Sequence, residues 1–174
     1  MEVEIVRFQR DASKRNLTRD LIMALASARL MPHRYRALLV SQAGVRVGEG
    51  VLFMGGIDIV GNAEVTFGRG VFVNHRCYFD AAAPITVGDN VQIGDNVRII
   101  TSTHEMGGPE RRASKSLSLA VTIATGVWIG SGATVLPGLS VGQGCMIAAG
   151  SVVTRDCEDN GLYAGVPARR IREL

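Results

Sequence analysis

The sequence predicts an all-β solenoid, and two observations support this: a six-residue repeat and an unusual composition. The 174 residues include 21 glycines, while aromatic residues make up only 5% of the chain and hydrophobic residues 47%. Glycine-rich, aromatic-poor sequences in which Val and Ile dominate the apolar content suit short strands joined by tight turns. The length corresponds to about one domain, with enough apolar content for a buried core, so intrinsic disorder is not expected.

Large apolar residues recur at every sixth position from Val47 onwards, with slips of two residues that indicate three strands in each coil. The fifteen members of this row are Val47, Phe53, Ile59, Phe67, Val73, Phe79, Val87, Ile93, Ile99, Ile123, Ile129, Val135, Val141, Ile147 and Val153. A second row of smaller residues consists of Val91, Val97, Val127, Ala133, Leu139, Cys145, Ser151 and Cys157. A six-residue unit fits a short strand plus a turn, and stacked coils bury a continuous core that no single coil could form.

The bends between repeats carry residues that tolerate tight turns, as in VGDNVQIGDN (87–96) and IGSGATVLPG (129–138). Glycine and asparagine reach positive φ angles at low cost, which short turns between strands require. A doubly wound α/β fold is excluded, because strands and crossover helices of the necessary length do not alternate in this chain.

We divide the chain into three segments. Residues 1–46 are expected to form an N-terminal helical segment, and residues 47–160 the solenoid with a protruding loop at 104–120. Residues 161–174 are expected to form a C-terminal tail or helix.

The N-terminal segment predicts two helices after about fifteen loosely held residues. Helical spacing from Asn16 to Leu30 predicts an amphipathic helix, with Asn16 or Thr18 as its N-cap and an apolar stripe made by Leu17, Leu21, Leu25 and Ala28. A second, shorter helix is expected from Tyr35 to Ser41, closed by Gly44. We expect the helices to pack on the solenoid as a cap, and a role at a membrane surface is the alternative that we keep open.

Several classes of protein are excluded or disfavoured by composition. No apolar run reaches the roughly 18 residues of a transmembrane helix, and the N-terminus is too charged for a signal peptide, so we expect a cytoplasmic protein. Three widely spaced cysteines without a CxxC motif favour neither a disulfide framework nor structural zinc. Residues 1–46 hold nine Arg or Lys against four Asp or Glu, but these bases lack interleaved aromatics, and we expect no nucleic-acid partner.

One histidine, His104, stands where the regular apolar spacing stops and the longest break in the repeats begins. Histidine has an unperturbed pKa of about 6.5, so its imidazole is the natural general base near neutral pH. His75 and His33 carry no such signal and are expected to be structural, although His75 adjoins Asn74 and could face the same cleft. We therefore predict that His104 is a catalytic base.

The repeats and their flanking motifs resemble the left-handed β-helix O-acetyltransferases with hexapeptide repeats, of the galactoside, maltose, nodulation-factor and capsular-polysaccharide type. The resemblance spans nearly all of residues 47–174 and implies the left hand of the coil. The segments that carry it are VNHRCYFD (73–80), APITVGDN (83–90), TSTHE (101–105), VWIGSGATVLPG (127–138), IAAGSVVTRD (147–156) and YAGVPARRIREL (163–174).

The resemblance implies a catalytic role for two residues. His104 matches the catalytic histidine, which takes the proton from an acceptor hydroxyl as that oxygen attacks the acetyl thioester. Asn74 matches the asparagine that positions the acceptor in the same cleft. Because the thioester is already activated, neither a metal nor a covalent intermediate is required.

The resemblance also implies a binding site for acetyl-CoA, the co-substrate. Trp128, Gly130 and Ser131 match the pantetheine groove, where a backbone amide near Ser131 would stabilise the oxyanion. The groove continues at residues matching Ala149, Thr154 and Arg155, and the C-terminal basic residues that meet the nucleotide phosphates match Arg169 and Arg172. The family works as homotrimers with active sites between subunits, so His104 and Trp128 are expected to serve one site from different chains.

The acceptor stays open, because this sequence departs from the family where the acceptor binds. Enzymes with small diffusible acceptors often carry an acidic residue seven positions after the asparagine, where this chain has Ala81 with Asp80 one position earlier. The residue after the histidine is Glu105 rather than proline. We expect a small-molecule or glycan acceptor, with Asp80, Glu105, Arg111 and Arg112 as candidate contacts.

Three alternative functions remain at this point. The nearest is an antibiotic acetyltransferase, which shares the chemistry but not the acceptor. A γ-type carbonic anhydrase is built on the same coil and needs three converging zinc-binding histidines, whereas this chain has three histidines in all, one of them outside the repeats. A solenoid without catalytic activity is the third alternative, and the sequence also leaves open an acyl group longer than acetyl.

Overall fold

The structure, a computed structural model, describes residues 17–174. Two helices, α1 (Leu17–Ser27) and α2 (His33–Gln42), precede a parallel β-solenoid of about six coils. The expectations for residues 1–15 and for Asn16 as an N-cap lie outside the described residues. No helix among residues 17–174 is long and apolar enough to cross a membrane.

Each of the first five coils contributes one strand to each of three sheets. The first three coils contain β1 (Arg46–Val47), β2 (Leu52–Phe53), β3 (Asp58–Val60), β4 (Val65–Phe67), β5 (Phe72–Val73), β6 (Tyr78–Asp80), β7 (Ile85–Val87), β8 (Gln92–Ile93) and β9 (Arg98–Ile100). A hairpin of β10 (Ser102–Met106) and β11 (Ala113–Ser118) follows. The remaining strands are β12 (Val121–Ile123), β13 (Trp128–Ile129), β14 (Thr134–Val135), β15 (Ser140–Val141), β16 (Met146–Ile147), β17 (Val152–Val153), β18 (Gly161–Gly165) and β19 (Ala168–Glu173).

The three sheets run along the solenoid and meet at three corners. The first sheet is β1-β4-β7-β12-β15, the second is β2-β5-β8-β13-β16-β18-β19, and the third is β3-β6-β9-β14-β17. Coils pair in parallel throughout, and the antiparallel pairs among the described residues are β10–β11 and β18–β19. The corners are named below by the sheets that they join.

The predicted apolar row is the core of the solenoid. Fourteen of its fifteen members are at most 3% exposed, and Val47, in the first coil, is partly buried. Three phenylalanines stack along the axis edge to face, with ring centroids 5.1 Å apart for Phe53 and Phe67 and 5.3 Å for Phe67 and Phe79. The sequence prediction of a continuous core is confirmed.

The helical cap is present, but the leucine stripe of α1 faces away from the solenoid. Met23 and Ala26 are the buried residues of this helix, whereas Leu17, Leu21 and Leu25 are 50–68% exposed. The predicted apolar stripe is therefore not the packed face of α1, because the helix is apolar on both faces and periodicity cannot tell which face meets the protein. Thr18, a candidate N-cap, lies inside the helix.

The second predicted helix is confirmed and slightly longer than expected. Its Arg36 is only 4% exposed and holds the helices together by donating hydrogen bonds to backbone carbonyls. Its Nη2 donates to the carbonyl oxygens of Ala28 at 2.9 Å and Met31 at 2.6 Å, and its Nη1 donates to that of Ala26. The same guanidinium lies against Gly55 in the first coil, where a β-carbon would come within 3.3 Å of Nη2.

The C-terminal segment is a β-hairpin, which corrects the expected tail or helix. Strand β18 continues the second sheet by pairing with β16, and β19 folds back on β18 after Gly165, whose φ is +103°. Tyr163 is 5% exposed and takes the place of a core residue in the last coil. Pairing with the existing edge of the second sheet satisfies backbone groups of this segment, whereas an isolated helix of this length is only marginally stable in water.

The break in the repeats is also a hairpin, which is more regular than the predicted loop at 104–120 and begins two residues earlier. It leaves the solenoid after β9 and returns at β12, so it projects from the corner between the third and first sheets. His104 therefore lies inside strand β10 instead of at the end of a coil strand.

Replacing Arg36 by alanine should destabilise the protein by about 3 kcal/mol, because three carbonyl groups at the end of α1 lose a buried donor. Urea unfolding followed by circular dichroism measures this change. The matched control is Arg29→Ala, an exposed arginine in the same cap, which should change the free energy of unfolding by less than about 0.5 kcal/mol. Equal effects of the two substitutions would contradict the assignment.

Candidate functional site

His104 is exposed on the first strand of the hairpin, opposite Ser116 of β11. The antiparallel pairing is regular from Ser102 to His104 and shifts register between His104 and Met106. An exposed imidazole on a paired strand is accessible to a substrate and has a defined backbone position. Both properties suit a general base.

The base of the hairpin is tied to the preceding coil through Asp80, the last residue of β6. Asp80 is 6% exposed, and its Oδ2 accepts hydrogen bonds from the Ser102 N–H at 3.0 Å and from the Ser102 hydroxyl. Thr101 is fully buried beside it, donating its hydroxyl proton to the Asp80 carbonyl and accepting the Ala83 N–H at 2.9 Å. Asp80, a candidate acceptor contact in the sequence analysis, thus lies beneath the hairpin with one carboxylate oxygen engaged.

The remaining charged residues of the hairpin lie near its tip and are exposed. Glu105 forms an ion pair with Lys115 across the two strands at 3.8 Å. Arg112 donates from Nη1 to the Gly107 carbonyl at 3.2 Å, and no hydrogen bond or ion pair of the Arg111 side chain is recorded within residues 17–174. The predicted acceptor contacts on the hairpin are accessible, but Glu105 already has a cationic partner.

A second group of predicted residues lies at the corner between the second and third sheets. Asn74 directly follows β5, is half-buried, and accepts the His75 N–H on Oδ1 at 2.8 Å. Backbone hydrogen bonds stack this corner from coil to coil, since the Asn96 N–H donates to His75 and the Gly132 N–H donates to Asp95. Ser131 and Asn74 therefore share one corner, two coils apart.

Asp95 belongs to this corner and was missed by the sequence analysis. It lies between His75 and Ser131 in the stack, and its Oδ1 accepts the Ser131 hydroxyl at 2.5 Å while its Oδ2 accepts the Asn96 side-chain amide at 2.7 Å. The hydrogen bond from Ser131, followed by those from the backbone N–H of Asp95 and the side-chain amide of Asn96, holds the pKa of the Asp95 carboxyl below its usual range. The sequence could have indicated Asp95 by its position in the repeat, because Asp95 falls in the turn one coil after His75.

The outer face of the second sheet carries Trp128, which is 53% exposed. Its register partners are Gln92 and Met146, so a partly apolar strip lies next to Ser131. Gly130 sits where the coils approach closely, and a β-carbon there would come within 2.5 Å of the Ala149 backbone nitrogen. Trp128, Gly130, Ser131 and Ala149 thus form one continuous surface, and its use as a cofactor groove stays a prediction.

The basic residues assigned to the cofactor lie elsewhere on the chain. Thr154 and Arg155 are exposed just after β17, at the corner between the third and first sheets, while Arg169 and Arg172 are exposed on β19. The ion pairs within residues 17–174 involve Arg46, Arg69, Lys115 and Arg170, so Arg155, Arg169 and Arg172 have no carboxylate partner there. Arg170, which lies between Arg169 and Arg172 in β19, pairs with Glu158 at 2.7 Å.

One chain does not assemble all of these residues in one place. The corner carrying Asn74 precedes β6 and the anchor of the hairpin, Asp80, ends β6, so Asn74 and the hairpin base lie at opposite ends of this strand. Within residues 17–174 no cluster of three or more His, Cys, Asp or Glu side chains has the arrangement of a metal site. His75 Nδ1 lies 3.3 Å from the Gly55 carbonyl oxygen.

Stacked three-sided coils of six-residue repeats, with a histidine on an excursion from the coil, define a hexapeptide-repeat solenoid. A family model described as "Bacterial transferase hexapeptide (six repeats)" matches residues 120–155. The chain is 32% identical over 139 residues to galactoside O-acetyltransferase of Escherichia coli, a match covering 80% of this chain and 68% of that protein. The chain belongs to the hexapeptide-repeat acetyltransferase family.

Two further comparisons extend this result. The chain is 43% identical over 111 residues to a Schizosaccharomyces pombe relative, covering 64% of this chain but only 54% of the relative, about half of its length. A hexapeptide-repeat acetyltransferase from Vibrio cholerae O1 biovar eltor, solved in complex with acetyl coenzyme A, is similar with a TM-score of 0.78 at 26% identity. That similarity covers 91% of this chain and 86% of the Vibrio chain.

The Asp95–Ser131 hydrogen bond should make stability depend on pH. Because the folded pKa of Asp95 lies below the unfolded value of about 3.9, the carboxylate stabilises the protein above that pH and loses this contribution as pH falls through the folded pKa. The difference in free energy of unfolding between the wild type and Asp95→Asn, measured by urea titration, should be constant from pH about 6 to 5 and shrink below about 4. In a Ser131→Ala background this pH dependence should largely disappear; its persistence would show that another group sets the pKa.

Proposed function

We propose that this protein is an acetyl-CoA-dependent O-acetyltransferase that moves an acetyl group to a hydroxyl of a sugar, glycolipid or polysaccharide precursor. The observation that carries the proposal is the family match, in which a relative of the same fold is solved with acetyl coenzyme A bound. The exposed His104 on a projecting strand and the continuous surface from Trp128 to Ala149 supply the two parts that this reaction needs.

The proposed chemistry is a direct transfer with His104 as general base. The imidazole takes the proton of the acceptor hydroxyl while the oxygen attacks the thioester carbonyl, forming the new C–O bond. A backbone N–H near Ser131 stabilises the oxyanion, the C–S bond then breaks, and the imidazolium returns its proton to the departing thiolate. Protons and electrons balance without a further reactant.

Cofactor binding in the proposal uses both apolar and cationic parts of the chain. The pantetheine arm lies along the strip beside Trp128, next to Gly130, where the coils approach closely. Arg155, Arg169 and Arg172 meet the phosphates, and their lack of carboxylate partners within residues 17–174 supports this assignment. Arg170 is excluded from this role because Glu158 already neutralises it.

The proposed active unit is a homotrimer with sites between neighbouring chains. The supporting observation is that Asn74 and the base of the hairpin lie at opposite ends of β6. A second copy would bring the hairpin of one chain to the corner of another, so that His104 and Trp128 serve one site from different chains.

The acceptor is proposed from the relatives alone, since galactoside O-acetyltransferase is among them. An antibiotic acetyltransferase would use the same chemistry on a different acceptor. Acetyl-CoA consumption against panels of sugars and aminoglycosides separates the two, and activity confined to aminoglycosides would replace the proposed acceptor class.

His104→Ala should lower kcat by about 100- to 10,000-fold, because a positioned general base contributes that much to proton transfer. The measurement is thiol release from acetyl-CoA with a responsive acceptor. Coenzyme A affinity by calorimetry and the sedimentation of the trimer are the controls and should not change. Retention of more than about a tenth of the wild-type rate would eliminate His104 as the base.

Arg155→Ala and Arg169→Ala should each raise the KM for acetyl-CoA about tenfold, with a smaller effect at saturation, because a charge-assisted contact to phosphate is lost. Initial rates over a range of acetyl-CoA concentrations give both constants. Arg29→Ala, in the helical cap at the other end of the solenoid, is the matched control. An unchanged KM in either variant would remove that arginine from the cofactor site.

A further inference from the structure

We infer that Asp80 is a positioning residue for the reaction, which sets the direction of His104 by holding Ser102. This inference rests on the proposed function, because it takes His104 as the base. It replaces the acceptor contact expected for Asp80 from the sequence, and it gives a role to Ser102, which the sequence analysis did not single out.

Asp80 points outward from the third sheet, and the base of the hairpin lies over it. Its register neighbours are Val60 in the coil before and Ile100 in the coil after, so the carboxylate lies between two aliphatic residues. A carboxylate at 6% exposure in such surroundings is costly unless donors satisfy it. Ser102 supplies two donors, its N–H at 3.0 Å and its hydroxyl, to the same oxygen.

The hairpin is held at its base from both strands. Thr101 is fully buried and bridges the Asp80 carbonyl and the Ala83 N–H through its hydroxyl, while its own carbonyl accepts the Leu119 N–H at 2.8 Å. Beyond Ser102 the side chains of β10 are exposed. The direction in which β10 leaves the solenoid is therefore fixed at Thr101 and Ser102. The Asp80 carboxylate accepts both hydrogen bonds that Ser102 donates.

Strand geometry carries this constraint from Ser102 to His104. Side chains two residues apart on a strand point to the same face, and the pairing of β10 with β11 is regular across these positions. Because the Ser102 hydroxyl points to Asp80, the imidazole of His104 emerges on the Asp80 side of the hairpin. A twist of β10 at its base would displace the imidazole, and misplacement by about 1 Å can cost on the order of 100-fold in rate.

Two substitutions test the inference against the proposed function. Asp80→Asn keeps the size of the side chain but removes its charge, and Ser102→Ala removes one of the two donors. Each should lower kcat by about tenfold or more while leaving the KM for acetyl-CoA within about twofold, because the cofactor surface is untouched. Ser102→Thr retains both donors and should restore most of kcat, and Asp58→Asn, an exposed carboxylate on the same sheet, should behave as the wild type.

A double-mutant cycle separates positioning from general structural support. If Asp80 acts through His104, then Asp80→Asn in the His104→Ala background should cause no further loss of rate. If Asp80→Asn lowers the rate by the same factor with and without His104, or if Ser102→Ala has a normal kcat, the inference is overturned. Should Asp80→Asn fail to fold, the comparison of Ser102→Ala with Ser102→Thr decides. High activity of His104→Ala would instead refute the proposed base. If His104→Ala is inactive but Asp80→Asn and Ser102→Ala both keep a normal kcat, the positioning role alone is refuted.

Discussion

The structure depends on the contact between each coil and the next. A single coil of three short strands buries little and leaves its backbone groups unpaired, whereas stacked coils pair those groups and join their apolar side chains into one core. One coil takes 20 residues from Phe53 to its partner Val73 and 18 residues from Ile129 to its partner Ile147. The coil after the hairpin is therefore two residues shorter than the one before it. The slips in the sequence repeat are these extra residues at the corner between the third and first sheets.

Three elements depart from the regular coils: the helical cap, the hairpin and the C-terminal turn. Buried polar residues attach each of them to the solenoid. Within residues 17–174 four polar or charged residues are buried, namely Arg36, Asp80, Thr101 and Ser151. Arg36 binds the two helices together against the first coil, and Asp80 with Thr101 holds the hairpin. The Ser151 hydroxyl accepts the Gly165 N–H at 3.1 Å and holds the C-terminal turn. Because an unsatisfied buried polar group is costly, each of these contacts fixes one attachment in place.

The proposed function also divides between the regular coils and the attached hairpin. Outward rows on the coils offer surfaces of different character: the first sheet presents Thr66, Thr86 and Thr122 in register, while the second presents Phe72 and Trp128. A surface of this kind can hold an extended cofactor arm along the axis, but it offers no base. In the proposed mechanism the base is His104 on the hairpin, the largest departure from the repeat within residues 17–174, and the position of its imidazole depends on the few hydrogen bonds at the base of the hairpin.

The sequence by itself determined the solenoid and its core, because spacing in a repeat translates directly into burial, and it located the hairpin, because an interruption is visible as a missing repeat. The family resemblance placed Trp128, Gly130, Ser131 and Ala149 along one groove, and the structure places them in two neighbouring coils. Only the tertiary structure decided which face of α1 packs, that residues 161–174 pair as strands, and that Asp80 lies beneath Ser102. Those outcomes depend on contacts between residues far apart in the chain or on competition between alternatives of similar local preference. The hairpin shows both contributions: the spacing of the repeats predicted its position, whereas its attachment to the Asp80 carboxylate in the coil before it is a contact that only the folded chain forms.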